Sequence, residues 1–311
     1  MKKEYFLLIF AIVALSAYLF LHDRNKDNYL LPQMPEIDET KIERIEIIRN
    51  NQTINCYKDT GKWVVTGKKF SGNTMIISEM IASIKELTLT TLISEQGDLK
   101  RYDLDKEKSI NIIVKDKNTV LRNFSIGKTA PTQKHTFITL DDKKEVFHAK
   151  GNLRRIFNKN IDNLRAKQIQ KIVIEEVKSI EIIMGNIKKI INRKELSKDN
   201  SESDTKEKVS WQAKDDDSLK QEPIDELVET LSDLRCSSYP ETQTKKDFEN
   251  KTPLLKIILK TEQEYELTIF PKTEENKYPG ISSQNEYLFL LEDHVADDII
   301  SNTNKLLNIK Q

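Results

Sequence analysis

The chain has 311 residues with 50 Lys+Arg against 50 Asp+Glu, so it carries no net charge at pH 7 and lacks the basic excess that a nucleic-acid surface requires. Its length allows one large or two ordinary domains, and 37% hydrophobic residues are enough for sizeable cores, which excludes a fully disordered chain. Two cysteines, Cys56 and Cys236, are too few for a disulfide framework or a thiolate metal site.

The first element is an uncharged run of 17 residues, Tyr5–Leu21. As a helix it would reach about 25 Å, the short end of a membrane span. Lys2 and Lys3 precede it, whereas Arg24 and Lys26 beyond it are interleaved with Asp23 and Asp27. The positive-inside rule then places the N-terminus in the cytoplasm and the bulk of the chain on the extracytoplasmic, periplasmic side. Residues 1–22 are therefore read as a single-pass transmembrane helix in the cell (inner) membrane, with Tyr5, Phe10, Tyr18 and Leu21 as anchor residues. The rival reading is a cleaved signal peptide ending at the small-x-small site Ala14-Leu15-Ser16. Against it, Tyr18-Leu19-Phe20-Leu21 prolongs the apolar run past that site.

Beyond the anchor the chain repeats itself. Ile42-Glu-Arg-Ile-Glu-Ile-Ile48 returns as Val177-Lys-Ser-Ile-Glu-Ile-Ile183, both strand-like. Trp63 and Trp211, the only tryptophans, each follow a strand pair and precede a helix. Those helices show the i, i+3, i+4, i+7 spacing of one buried face: Ile77, Met80, Ile81, Ile84 and Leu87, then Ile224, Leu227, Val228, Leu231 and Leu234. Pro223 suits the first turn of the second helix. Next, Ser109–Lys115 corresponds to Leu254–Lys260, and each strand is followed by a polar turn and an alternating partner, Leu121–Ile126 and Tyr265–Ile269. Each copy closes with a strand and a helix: Val146–Ala149 with Leu153, Ile156 and Phe157, and Tyr287–Leu291 with Val295, Ile299 and Ile300.

Clustered strands of this kind give an α+β class with mainly antiparallel sheets. The expected organisation is an anchor followed by two tandem α+β repeats, 40–168 and 172–308. The second carries an insertion at 196–208 (LSKDNSESDTKEK) that is too polar to bury and reads as a mobile hairpin loop.

Chemistry-bearing patterns are sparse. The four histidines, His22, His135, His148 and His294, show neither a His-x-x-x-His pair nor a recurrence between the copies, so structural or solvated roles are expected. Gly127-Lys128-Thr129 lacks the upstream glycine of a phosphate loop. Asp215-Asp216-Asp217 lacks the alternating ligands of a calcium loop. Cys56 and Cys236 read as buried thiols, with a mutual disulfide as the alternative. Trp63, Trp211, Tyr102 and Phe248 are assigned structural roles, with ligand lining as the alternative for the two tryptophans. No catalytic residue, cofactor or metal ligand is assigned.

In order, Lys62-Trp63, the helix Ile77–Leu87, Tyr102-Asp103-Leu104-Asp105, Ile126-Gly127, Phe137, Val146-Phe147 and Asn163-Leu164-Arg165-Ala166-Lys167 resemble an uncharacterised bacterial family, domain of unknown function 4340 (DUF4340). The basic N-terminus, the single span and the Ile42–Ile48 strand are similar to that family as well. The sequence departs from it at Asp103, where the family pattern resembles Tyr-Gly-Leu, and at Lys106, near which a proline is usual; the second copy has Pro253 in the comparable place. The resemblance implies a membrane-tethered extracytoplasmic domain without assigned catalytic residues. It also implies an accessory role beside ABC-type transport systems.

The leading functional expectation is a non-enzymatic binding or scaffold protein. It would present two similar units to an envelope partner, a transporter complex among the candidates, and contact the bilayer through its first helix. An envelope hydrolase using carboxylates and a small-ligand or glycan-binding module are the alternatives. A cleft with two facing, strongly perturbed carboxylates would mark the first. A concave aromatic-lined pocket would mark the second.

Overall fold

The structure is a computed structural model that describes residues 9–18, 31–65, 70–141, 143–194, 210–214, 219–273 and 276–309. Residues 9–18 are helical (α1). The chain divides into two compact units, Met1–Arg165 and Ala166–Gln311.

The first unit runs β1 (Arg44–Arg49), β2 (Gln52–Asp59), β3 (Lys62–Val65), β4 (Phe70–Ser71), α2 (Thr74–Lys85), β5 (Leu89–Ser94), β6 (Ile110–Asp116), β7 (Thr119–Thr129), β8 (His135–Leu140), β9 (Val146–Lys150), α3 (Leu153–Phe157) and α4 (Ile161–Leu164). Its strands form one sheet in the order β4-β3-β2-β1-β6-β7-β8-β9-β5. All its pairings are antiparallel. The alternation in β1 and β6 sends Ile45, Ile47, Ile110, Ile112 and Val114 to one face. There they meet Ile77, Met80 and Ile84 of α2 and Leu153 and Phe157 of α3 in a single core. Asn73 caps α2 by accepting the Ile76 N–H at 3.3 Å.

The second unit runs β10 (Ser179–Met184), β11 (Ile187–Lys194), β12 (Ser210–Ala213), α5 (Gln221–Ser232), β13 (Leu255–Lys260), β14 (Glu264–Ile269), β15 (Tyr278–Ser282), β16 (Phe289–Leu291) and α6 (Asp293–Leu307). Its sheet order is β12-β11-β10-β13-β14-β15-β16. The helix α5 buries Ile224, Leu227, Val228 and Leu231, and α6, which packs on it, buries Ala296, Ile299 and Leu306.

That order repeats β3-β2-β1-β6-β7-β8-β9 strand for strand, and the register repeats with it. Ile45 faces Cys56 and Val114 in the first sheet, and Ile180 faces Ile191 and Leu259 in the second. Lys58 faces Trp63 as Arg193 faces Trp211. The ladders place both tryptophans at one position of a shared topology.

Several elements differ from the sequence reading. Trp63 and Trp211 lie inside third strands, β3 and β12, and not in connections ahead of a helix. The strands β4, β5, β8 and β15 were not anticipated, and the strand placed at Tyr287–Leu291 is the shorter β16. The boundary between units falls after Arg165, within the expected first repeat. Gly127-Lys128-Thr129 ends a β-strand, a context that excludes a phosphate loop. Among the described residues no helix is long and apolar enough to cross a membrane. Tyr5 and Leu21, as well as His22, the triplet Asp215–Asp217 and the 196–208 insertion, lie outside the described residues.

Candidate functional site

Trp63, Trp211, Tyr102, Phe248 and the two cysteines all lie within the described residues. Trp211 is 3% exposed, and its indole Nε1–H donates to Asp225 Oδ1 at 3.0 Å, joining β12 to α5. Its backbone exchanges two hydrogen bonds with the Gln221 side chain at 2.7 and 2.9 Å. Trp63 is only half-buried against its core, with Lys58 Nζ 5.5 Å from the ring centroid. Tyr102 and Phe248 each end a one-turn 3-10 helix, Leu99–Tyr102 and Lys245–Phe248. Each meets another aromatic ring with centroids 4.8 Å apart, Tyr102 tilted against Phe137 of β8 and Phe248 edge-on to Phe270 just after β14. Neither tryptophan is among the lining residues of the grooves described below. Cys56 is completely buried, which pushes its thiol up to about 12, and Cys236 is buried as well. A thiol so raised is no nucleophile at neutral pH.

Among the described residues every Asp or Glu with a shifted pKa is shifted down. Asp38 is lowered by hydrogen bonds from Thr40, Glu181 and Glu262 by those from Lys188 and Lys178, and Asp247 by those from Thr244. A general acid needs the opposite shift. The carboxylates Glu226, Glu229 and Asp298 share a groove of about 360 Å³ with Lys305.

Two histidines that looked isolated meet across the β8–β9 ladder, where Phe137 pairs with His148. The His135 and His148 rings stack at 5.4 Å, Phe137 lies 4.6 Å from His148, and His148 Nε2 is buried without a partner among the described residues. Burial, and then the charge of His135, lower the His148 pKa. Because the folded form then binds its proton less readily than the unfolded form, stability should fall as pH drops through about 6.5. Thermal melts from about pH 7.5 to about pH 5.5 should show this loss for the natural chain and a smaller one for His148→Phe; equal losses would remove His148 as the cause.

A groove of about 590 Å³ lies on the face of the first sheet opposite the core. Its floor is one lateral row in register, Ile48, Asn111, Ser125 and Thr139, running across β1, β6, β7 and β8. Asn111 Nδ2 donates to Asn123 Oδ1 at 2.9 Å and Ser125 Oγ at 3.2 Å. One wall is the Asn50-Asn51 hairpin, with both residues left-handed as a two-residue turn requires. Opposite stand Leu99 and Leu104, held over the sheet by a close approach in which a Cβ on Gly127 would lie 2.2 Å from the Tyr102 carbonyl oxygen. Arg154 ties the same loop down, donating to the Gly127 and Lys108 carbonyls at 2.9 and 3.0 Å. Arg49, Lys106 and Lys143 supply three cations, and no carboxylate is among the described lining residues. Arg49 is oriented by donating to Asn158 Oδ1. None of this was visible in the sequence, since only strand register brings residues 48 to 143 together.

A family model described as a domain of unknown function (DUF4340) matches residues 63–253, more than half of the chain. The chain belongs to the DUF4340 family. The match opens at Trp63 in β3 and closes at Pro253 just ahead of β13, so it spans parts of both units. No curated protein and no solved structure matches the chain. Within this DUF4340 chain, Asp103 occupies the place where glycine was expected and still takes the left-handed conformation (φ 55°). It closes the Leu99–Tyr102 turn, its N–H donating to the Lys100 carbonyl at 3.2 Å and the next N–H to the Leu99 carbonyl at 2.8 Å, and its side chain pairs with Lys108 at 3.2 Å.

Proposed function

We propose that this DUF4340 protein is a membrane-anchored, extracytoplasmic binding or scaffold protein that presents its two units to an envelope partner. The observation that carries the tether is the surface of α1. Ile9, Phe10, Ile12, Val13, Leu15 and Tyr18 are each more than half exposed, with Phe10 at 75%. Full burial of such a side chain is worth roughly 1.5–3 kcal/mol, so six together favour an apolar environment by on the order of 10 kcal/mol. The uncharged run extends beyond α1 to Tyr5 and Leu21, and Lys2 and Lys3 flank it, which supports insertion with the N-terminus inside. The repeated register of the two sheets supports an internal duplication. Two units of one topology suit a scaffold for a larger complex, and an ABC-type transport system is the partner class that the family resemblance suggests.

Fractionation tests the tether. The full chain should stay with membranes after alkaline extraction and keep its original N-terminus. A mature chain beginning after Ser16 or Ala17 would replace the anchor by a cleaved leader. A fragment meant to be soluble should begin ahead of Leu31, because Leu31 and Met34 pack against the first core.

A further inference from the structure

We propose that the groove on the outer face of the first sheet is a binding site for a small anionic saccharide, a sugar acid or a sugar phosphate. This names a ligand class for the binding role above, and it rests on the groove alone, whether or not α1 enters a bilayer.

Three features of the groove select that chemistry. Its floor, Asn111, Ser125 and Thr139, consists of neutral groups that both donate and accept, which is what the hydroxyls of a sugar ring need. Its lining also includes Ile48 at the end of that row and Leu99 and Leu104 beside it, apolar side chains suited to the C–H face of a pyranose. Its lining carries Arg49, Lys106 and Lys143 and, among the described residues, no carboxylate, so an anionic substituent would be attracted and would form charge-assisted hydrogen bonds. The carboxylate nearest along β1, Glu46, is already engaged by Lys115 at 2.7 Å. A volume of about 590 Å³ falls within the ordinary range of small-molecule sites.

The second unit supplies an internal control. By register, Asn111, Asn123, Ser125 and Thr139 correspond to Lys256, Glu266, Thr268 and Ile281. There Lys256 and Glu266 form their own ion pair at 2.9 Å, and Ile281 packs against the Phe248 cluster. The same place in the same topology is thus self-satisfied in one unit. In the other it keeps neutral polar groups under three cations. The packing of this sheet face therefore does not require the neutral Asn111-Ser125-Thr139 row, since the second unit fills the same row with Lys256, Thr268 and Ile281.

The test is titration of the full-length protein in detergent by calorimetry and saturation-transfer NMR, with glucuronate and glucose 6-phosphate as the two sugar anions, and glucose and inorganic phosphate as controls. The expected result is saturable binding of at least one sugar anion, about tenfold or more tighter than either control; which anion wins distinguishes the sugar acid from the sugar phosphate. The triple change Arg49→Ala, Lys106→Ala, Lys143→Ala should weaken it about tenfold or more, as should Asn111→Leu, while Lys256→Ala leaves it unchanged. Circular dichroism should report the same fold for all variants, because the altered side chains lie outside the core. The proposal is overturned if neither sugar anion binds, if inorganic phosphate binds as tightly as the sugars, or if neither variant alters binding. The tether is judged by fractionation and is untouched by any of these results.

Discussion

Trp211→Ala is expected to destabilise the second unit by about 3–5 kcal/mol, whereas Trp63→Ala should cost the first unit about 1–2 kcal/mol. The ladders put the two rings at one position, so backbone and strand context are matched and the difference isolates the surroundings. Trp211 is almost wholly buried, and its removal leaves a cavity and strands Asp225, whose carboxylate accepts the indole N–H. Trp63 is half-buried and partly covered by the Lys58 chain, so water can replace much of what the ring leaves behind. Denaturant unfolding of the full chain followed by far-UV circular dichroism measures both values. Equal costs would show that the solvent-facing side of Trp63 is covered within the chain itself, and its half-buried setting would have to be revised.

The reason the two tryptophans could be matched from sequence is also the reason other elements could not. The elements that were legible bury one face: β1, β6 and β13 alternate aliphatic and polar residues, and α2 and α5 carry one apolar stripe. The strand β8 has five of six residues buried, because the Leu99–Leu104 loop covers its outer face, and so it shows no alternation. The strand β15 contains Pro279 and Gly280, which read as a turn. The glycine is explained by Phe289 in the neighbouring strand, whose ring would lie 2.3 Å from a Cβ at that position. The strand β4 has only two residues and offers no pattern to detect. For the candidate site the obstacle is different. Arg49, Asn111, Ser125, Thr139 and Lys143 have no recurring spacing, and each taken singly is an ordinary surface polar residue. The nearest available hint was the mismatch between copies, Asn111 against Lys256 and Thr139 against Ile281, which only the register makes interpretable.

The second large effect concerns Arg122, one of the few buried charges among the described residues. At 5% exposure it lies on the core side of β7 in line with Phe124 and Ile126. Its guanidinium donates to the carbonyl of Ile84, in the last turn of α2, and to the carbonyl of Pro35, in the segment ahead of β1. Burial lowers its pKa, yet an arginine remains charged at any physiological pH, so the group acts as a permanent positive clamp at a helix C-terminus. Arg122→Ala should therefore cost about 2–4 kcal/mol, since the buried Ile84 carbonyl and the partly buried Pro35 carbonyl lose a charged donor and a cavity opens beside Ile84. The loss should be local as well as global. Hydrogen exchange should rise first in residues 31–37, where Leu31, Met34 and Ile37 pack on the core, and in the last turn of α2. Arg122→Lys should recover little, because one ammonium cannot reproduce two donors held in a fixed fork. If the alanine variant keeps natural stability and exchange at both places, the guanidinium is dispensable. Residues 31–37 would then be held by their apolar contacts alone, and the attachment of the first unit to whatever precedes it would rest on Leu31, Met34 and Ile37.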